Sequence, residues 1–291
     1  MNRIVYIYRA FLAMLICVVS IFCLCGCDVV DIIEDSDTAS EIVQVPKPTH
    51  SPTPEPVYTP DPTPTLAPTP EPTATVTASG AITGGDTSGE QKYVALTFDD
   101  GPYGEITNRI LDVVEQYSDY GVHVTFFALG SQVAKFPDTV RRAYNLGCEI
   151  ANHTYDHKNL TKITESERKS QVEDTADLIE SIAGEKPRLV RPPYGAKNDE
   201  VRASVKYPLI LWSIDTEDWK TRDTASTVAA AIEAIDGDIV LMHDVREDTA
   251  AAAEQIIPAL LEKGFKLVTV SEMFEAKGIT LENGTTYRKA R

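Results

Sequence analysis

The chain has 291 residues, an apolar share of 43% and a formal charge of −17, which leaves room for one large domain or two small ones. Acidic side chains number 44 against 27 basic ones, with no basic run, so nucleic acid is excluded as the expected partner. The charge is uneven: Asp28 to Glu90 carries 11 acids and one base, Lys47, whereas 33 acids face 24 bases from Gln91 onward, leaving the expected folded part only mildly acidic.

Residues 1–27 resemble an export segment, with Arg3 and Arg9 ahead of a largely apolar run from Ala10 to Cys27. Leu24-Cys25-Gly26-Cys27 resembles a bacterial lipobox, in which Cys27 is the acylated first residue of the mature protein. Two other readings stay open, an uncleaved membrane anchor at the lower length limit of about 17 apolar residues and release after cleavage. The first two place the protein outside the cytoplasm, tethered to the cell membrane through its N-terminus. Residues 28–90 read as a linker that is first acidic, then Thr-Pro/Glu-Pro, then Gly/Ser/Thr-rich. Its prolines from Pro46 to Pro72 make up 11 of the 18 in the chain, and such density favours extended polyproline II over a core. That tract reaches roughly 80 Å at ~3.1 Å per residue, the length of a spacer that lifts a domain off a membrane.

Residues 91–291 read as the folded domain, where short apolar runs alternate with longer amphipathic segments. Strands are expected at Tyr93–Phe98, Val122–Ala128, Glu149–Asn152, Leu189–Arg191, Leu209–Ile214, Ile239–Met242 and Lys266–Val268. Between them lie helices near Ile106–Tyr117, Pro137–Leu146, Thr164–Ala183, Asn198–Ser204, Thr224–Ile235, Thr249–Lys263 and Ser271–Ala276, the last capped by Ser271. This alternation predicts an α/β fold with a parallel sheet and helices outside. A small or incomplete (β/α) barrel is preferred over an open sheet. Cys148 is the one cysteine in this part, so no internal disulfide forms and the thiol reads as buried filler. A monomer is expected.

Chemistry gathers where the strands end. Asp99 and Asp100 close the first apolar run in Thr97-Phe98-Asp99-Asp100-Gly101-Pro102. Adjacent strand residues point opposite ways, so one carboxylate is free to bind a metal while the other handles protons. His153 and His157, Arg191-Pro192-Pro193-Tyr194-Gly195, Asp215 through Trp219, and His243-Asp244 follow four later strands. In α/β folds the strand C-termini share one edge, where sites collect. His153 and His157, four apart, suit one face of a helical turn. With one Asp they form a His₂-carboxylate ligand set with an open position. Thr154 stands where a zinc protease has its Glu, so the pair is not H-E-x-x-H.

The segments T-F-D-D-G-P (97–102), H-T-Y-D-H (153–157), R-P-P-Y-G (191–195), D-T-E-D-W (215–219) and L-M-H-D (241–244) match in order the five motifs of polysaccharide deacetylases. The stretch from roughly 91 to 275 thus resembles the NodB-homology domain of carbohydrate esterase family 4. The resemblance implies that Asp100, His153 and His157 bind a divalent metal, commonly zinc, with cobalt, manganese or nickel as alternatives. It further implies that water attacks the acetamide carbonyl of an N-acetylated sugar, with Asp99 as general base and His243 as general acid. The backbone N–H of Tyr194 would hold the oxyanion, Arg191 would orient Asp99 and keep it ionised, and Asp218 would orient and charge His243. Trp219 and Leu241 would form the pocket for the acetyl methyl group.

The expected function is therefore removal of acetyl groups from a cell-envelope polysaccharide, N-acetylglucosamine of peptidoglycan first. An O-acetyl xylan esterase, a chitooligosaccharide deacetylase and a non-catalytic glycan-binding lipoprotein are the alternatives. His123 reads as structural, and Asp215 and Asp244 as supporting or capping residues. Lys158 follows the second ligand where many members have Pro, which puts a cation near the cleft.

Overall fold

The structure is a computed structural model that describes residues 91–291. The export segment, Cys27 and the linker lie outside the described residues. Eight β-strands appear, β1 Lys92–Asp99, β2 Thr125–Ala128, β3 Glu149–Asn152, β4 Leu209–Ile210, β5 Ile214–Asp215, β6 Asp238–His243, β7 Phe265–Leu267 and β8 Thr286–Tyr287. The main sheet has the order β3-β2-β1-β6-β5, all parallel, with β7 joining β1 near its start.

The ring closes irregularly. Asn152 at the end of β3 bridges to Val190, which bridges to Leu209 of β4. The chain then runs from β4 into β5, which pairs with β6. The expected (β/α) barrel is thus found, with one side built from short pieces. The strand expected at Leu189–Arg191 is only the bridge at Val190, and Leu209–Ile214 is two two-residue strands. Between these pieces Leu211 donates its N–H to Tyr287, whereas Ser213 donates to Ile239. One continuous strand cannot serve both partners, and the β8 strand that draws Leu211 away was not foreseen.

Alternation along each strand separates two cores. Val94, Leu96 and Phe98 of β1 and Val240 and Met242 of β6 pack outward in the larger cluster, beneath the flanking helices Gly104–Gln116 and Glu247–Glu262. Ala95 and Ile239 belong instead to the inner cluster with Phe127, Ala151 and Ile210, which helix Val270–Ala276 also joins. The inner row on β1 continues through Thr97 to Asp99, and that on β6 through Leu241 to His243. Both rows change from apolar to polar at the strand C-termini.

Most expected helices are present with ends shifted by a few residues; Thr224–Ala231 stops short of Ile235, and the one-turn helices Gly130–Val133 and Asp218–Thr221 were not expected. Thr164 and Glu167 form a capping box at the start of Glu165–Ala183. Thr269, not Ser271, caps Val270–Ala276, through a second box with Glu272; Ser271 is drawn away to hydrogen-bond Glu149. His123 lies just ahead of β2 rather than inside a strand, and its Nδ1 sits 2.9 Å from Glu272 Oε1, an acidic neighbour that is distant in sequence. Cys148 is buried, and burial pushes its thiol up to about 12, as expected of inert filler. None of the described helices is long and apolar enough to cross a membrane.

Candidate active site

Asp99 and His243 end neighbouring strands in direct register, so both side chains come to the same end of the barrel. Asp100 turns the chain with φ +75°, outside strand geometry, and its Oδ1 lies 3.5 Å from His153 Nε2 and 3.4 Å from His157 Nε2. The histidines are not on a helical turn. Residues 153–159 are irregular, and left-handed backbone at Thr154 (φ +73°) and His157 (φ +63°) folds the loop until the two rings lie 5.0 Å apart. Asp100, Thr154, His157 and Tyr194 all hold positive φ, a cost that non-glycine residues bear mainly where function requires it.

His153 Nδ1 is 2.7 Å from the carbonyl oxygen of Arg191. A carbonyl only accepts, so Nδ1 carries the proton and the Nε2 lone pair faces Asp100. Burial, opposed by the Asp100 charge, lowers the His153 pKa to about 3, which keeps the ring neutral and able to ligate. One carboxylate and two imidazoles thus offer ligand atoms within 4.8 Å of one another. Asp100 Oδ1 is buried without a hydrogen-bond partner, a costly state for an anionic oxygen on its own. The set fits a divalent cation, by donor chemistry and by this unmet need.

Asp99 is buried beside that set, and its Oδ1 accepts a 2.6 Å hydrogen bond from Arg191 Nη1. The Arg191 guanidinium is also fully buried. It donates to Thr97 Oγ1 at 2.8 Å and to the carbonyls of Ile210 and Leu211 at 3.3 Å, and lies 3.9 Å from the centre of the Phe127 ring. Arg191 was expected to orient Asp99 and keep it ionised, and the hydrogen bond supplies the orientation while the guanidinium lowers the Asp99 pKa. Burial raises the Asp99 pKa by more than Arg191 and His243 lower it, because the carboxylate lies out of water altogether.

His243 Nδ1 lies 2.8 Å from Asp218 Oδ1, and Asp218 Oδ2 accepts from the His243 N–H at 2.8 Å and from Thr249 Oγ1 at 2.7 Å. Burial disfavours the imidazolium, but the Asp218 hydrogen bond and charge outweigh it and raise the His243 pKa to about 9. The site therefore pairs a buried carboxylate with a protonated imidazole whose Nε2 remains uncommitted.

A cavity of about 540 Å³ joins Asp99, Asp100, His153, His157, Tyr194, Trp219, Leu241 and His243. The Tyr194 ring is exposed and stands edge-on to His157 at 4.6 Å, and Trp219 is half exposed at the opening. Asp215 also lines the cavity and caps the Glu217 N–H; Asp244 is buried behind it, accepting from Gly101 N–H and Thr107 Oγ1. Both thus take the supporting places expected of them. Lys158 does not line the cavity and pairs with Asp156 at 3.4 Å. Trp212, Val245 and Arg246 line it as well, and the sequence reading missed them along with Thr249. Trp212 was hidden inside an expected strand, and the other three follow the last motif within six residues, the one signal that was available.

The model of the polysaccharide deacetylase family matches residues 86–208. The chain is 45% identical over 188 residues to the peptidoglycan-N-acetylmuramic acid deacetylase PdaC of Bacillus subtilis, covering 64% of this chain and 40% of the relative. It is 39% identical over 191 residues to a peptidoglycan-N-acetylglucosamine deacetylase of Bacillus cereus, covering 62% and 68%. A family 4 acetyl xylan esterase from Clostridium thermocellum, solved with a cobalt ion, superposes with a TM-score of 0.64 at 31% identity, covering 68% of this chain and 98% of that one. The chain thus spans 40% of the length of the Bacillus subtilis relative.

Proposed function

The chain belongs to the polysaccharide deacetylase family, and from that premise we propose that it is a metal-dependent N-deacetylase of a cell-envelope glycan, with N-acetylglucosamine of peptidoglycan as its first substrate. One observation carries this reading: a single cleft holds a ligand set, a buried carboxylate and an imidazole paired with Asp218, the last two on strand ends in register. Hydrolysis of an amide needs a proton acceptor and a proton donor in the same turnover.

Asp100, His153 and His157 would hold the metal, and zinc suits two imidazoles and a carboxylate. When bound, the divalent ion lowers the pKa of water and polarises a carbonyl. Asp99 takes a proton from the attacking water as the new C–O bond forms, while Arg191 fixes the direction of its carboxylate. The Tyr194 N–H, presented by a left-handed turn, donates to the developing oxyanion. As the C–N bond breaks, His243 delivers its Nε2 proton to the leaving nitrogen, and Asp218 stabilises the imidazolium until then. Acetate and a free amine result. Leu241 and Trp219 take the acetyl methyl at the base and mouth of the cleft.

The N-terminal segment supports a location outside the cytoplasm, with Cys27 as the lipidation site and residues 28–90 as the spacer. The xylan esterase remains the second reading, because a solved acetyl xylan esterase shares the fold at 31% identity. The test is acetate release by metal-stripped protein reloaded with zinc or cobalt. N-acetylglucosamine oligomers, peptidoglycan fragments and acetylated xylan are assayed side by side. Metal-restored release from the N-acetylated substrates is expected; release from xylan alone assigns the esterase. No release despite stoichiometric metal would overturn both in favour of a glycan-binding protein.

A further inference from the structure

Arg246 lies in the turn between β6 and helix Glu247–Glu262, three residues after His243, and lines the same cavity as the reacting groups. Its side chain is only 20% exposed, which is deep for an arginine without a close partner. Its one polar contact is through Nε to Asp248, at 3.4 Å and 3.5 Å from the two carboxylate oxygens. Neither terminal nitrogen has a hydrogen-bond partner among the described residues. The more deeply buried arginines differ: Arg191 Nη1 donates to Asp99 at 2.6 Å and Arg168 Nη1 to the Ile163 carbonyl at 2.8 Å.

Asp99 is held by Arg191 and Asp215 caps the Glu217 N–H, while Asp100 turns its unpartnered Oδ1 toward the imidazoles of the ligand set. Arg246 therefore presents a planar pair of donors to the cavity with no protein acceptor, the geometry that a carboxylate meets with two parallel hydrogen bonds. Arg246 lines the same cavity as His243, so the acceptor that would meet it belongs to a glycan bound in that cavity.

We propose that Arg246 is a specificity residue that binds a carboxylate of the glycan seated in this cleft, so that the chain prefers an acidic strand to a neutral one. The inference rests on the deacetylase reading and refines its substrate. In a peptidoglycan strand the chemistry has two sources: the free lactyl carboxylate of a peptide-free muramic acid, or the acidic groups of the peptide attached there.

Binding separates this proposal from the reaction. The full chain, as wild type, Arg246→Gln, Arg246→Lys and Arg246→Glu, is titrated calorimetrically with three tetrasaccharides. These are a neutral N-acetylglucosamine oligomer, a peptide-free oligomer containing muramic acid, and the same oligomer with its peptides. The expected result is a wild-type preference for one or both acidic oligomers that falls about tenfold in Arg246→Gln, is partly kept in Arg246→Lys and inverts in Arg246→Glu. Preference for the peptide-free oligomer assigns the lactyl group; preference confined to the peptide-bearing one assigns the peptide. Equal affinities of wild type for all three, or a preference unmoved in Arg246→Gln and Arg246→Glu, overturns the proposal. Acetate release from the same mixtures is scored separately. A lost preference with no release anywhere sinks the deacetylase reading while upholding the carboxylate site, and release with no preference does the reverse.

Discussion

Asp99 and Asp100 are neighbours with opposite environments, and that difference is their function. Asp99 is buried against a guanidinium, whereas Asp100 points a bare oxygen at two imidazoles. Asp100→Asn is expected to abolish metal binding and activity together, and Asp99→Asn to abolish activity while one metal per chain is retained, as read by atomic absorption and acetate release. Equal metal loss in both variants would reverse the assignment. The donor side gives a pH test. His243 acts while protonated, so activity falls as pH rises through its pKa, which Asp218 raises to about 9. Asp218→Asn removes the group that raises it and is expected to move the alkaline limb of the kcat/KM profile to lower pH. An unmoved limb would mean that His243 is not the titrating acid. These identities were legible as residue types in motifs. The elevated Asp99 was not, because burial is a property of the surrounding fold.

At the scale of an element, β6 ends by sending His243 into the cleft and Asp244 to the other side, where it fixes the turn that carries Asp100. Asp244 accepts from Gly101 N–H at 3.0 Å and Thr107 Oγ1 at 2.7 Å. A Cβ on Gly101 would lie 1.9 Å from Asp244 Oδ2, so Gly101→Ala displaces either the carboxylate or the turn. It is expected to cost about 1 to 3 kcal/mol in urea unfolding and to weaken metal affinity; unchanged metal affinity would show that the turn does not depend on this packing. Burial raises the Asp244 pKa to about 7. A carboxyl with its folded pKa raised loses stability as pH rises from its unfolded value toward 7. Asp244→Asn should therefore narrow the difference in thermal midpoint between pH 5 and pH 8, and an unchanged difference would exclude Asp244 as its source. Local signals placed most helices and the long strands well. They failed where a distant partner decided, as at Ser271, His123 and the split strand at 209–215.

In the whole molecule, Arg191 ties the weak side of the barrel to the strong one. From the loop after Val190 it reaches Thr97 and Asp99 on β1 and the carbonyls of Ile210 and Leu211 on the side made of short pieces. Arg191→Ala leaves Asp99 buried without its partner, and a loss of about 3 to 5 kcal/mol in denaturant unfolding is expected. A loss below about 1 kcal/mol would show that water reaches the site and that closure does not rest on this residue. The α/β alternation, the five strand-end motifs, the ligand types and the family were all legible in the amino-acid order, because periodicity and residue identity are local properties of the chain. It took the fold to show that the barrel closes through Val190, that an irregular loop and not a helix brings His153 to His157, and that Thr249 supports the acid. The fold alone placed Arg246 in the wall with its donors unmatched. Each of these depends on which distant segments share a burial environment, and that is fixed by packing in three dimensions.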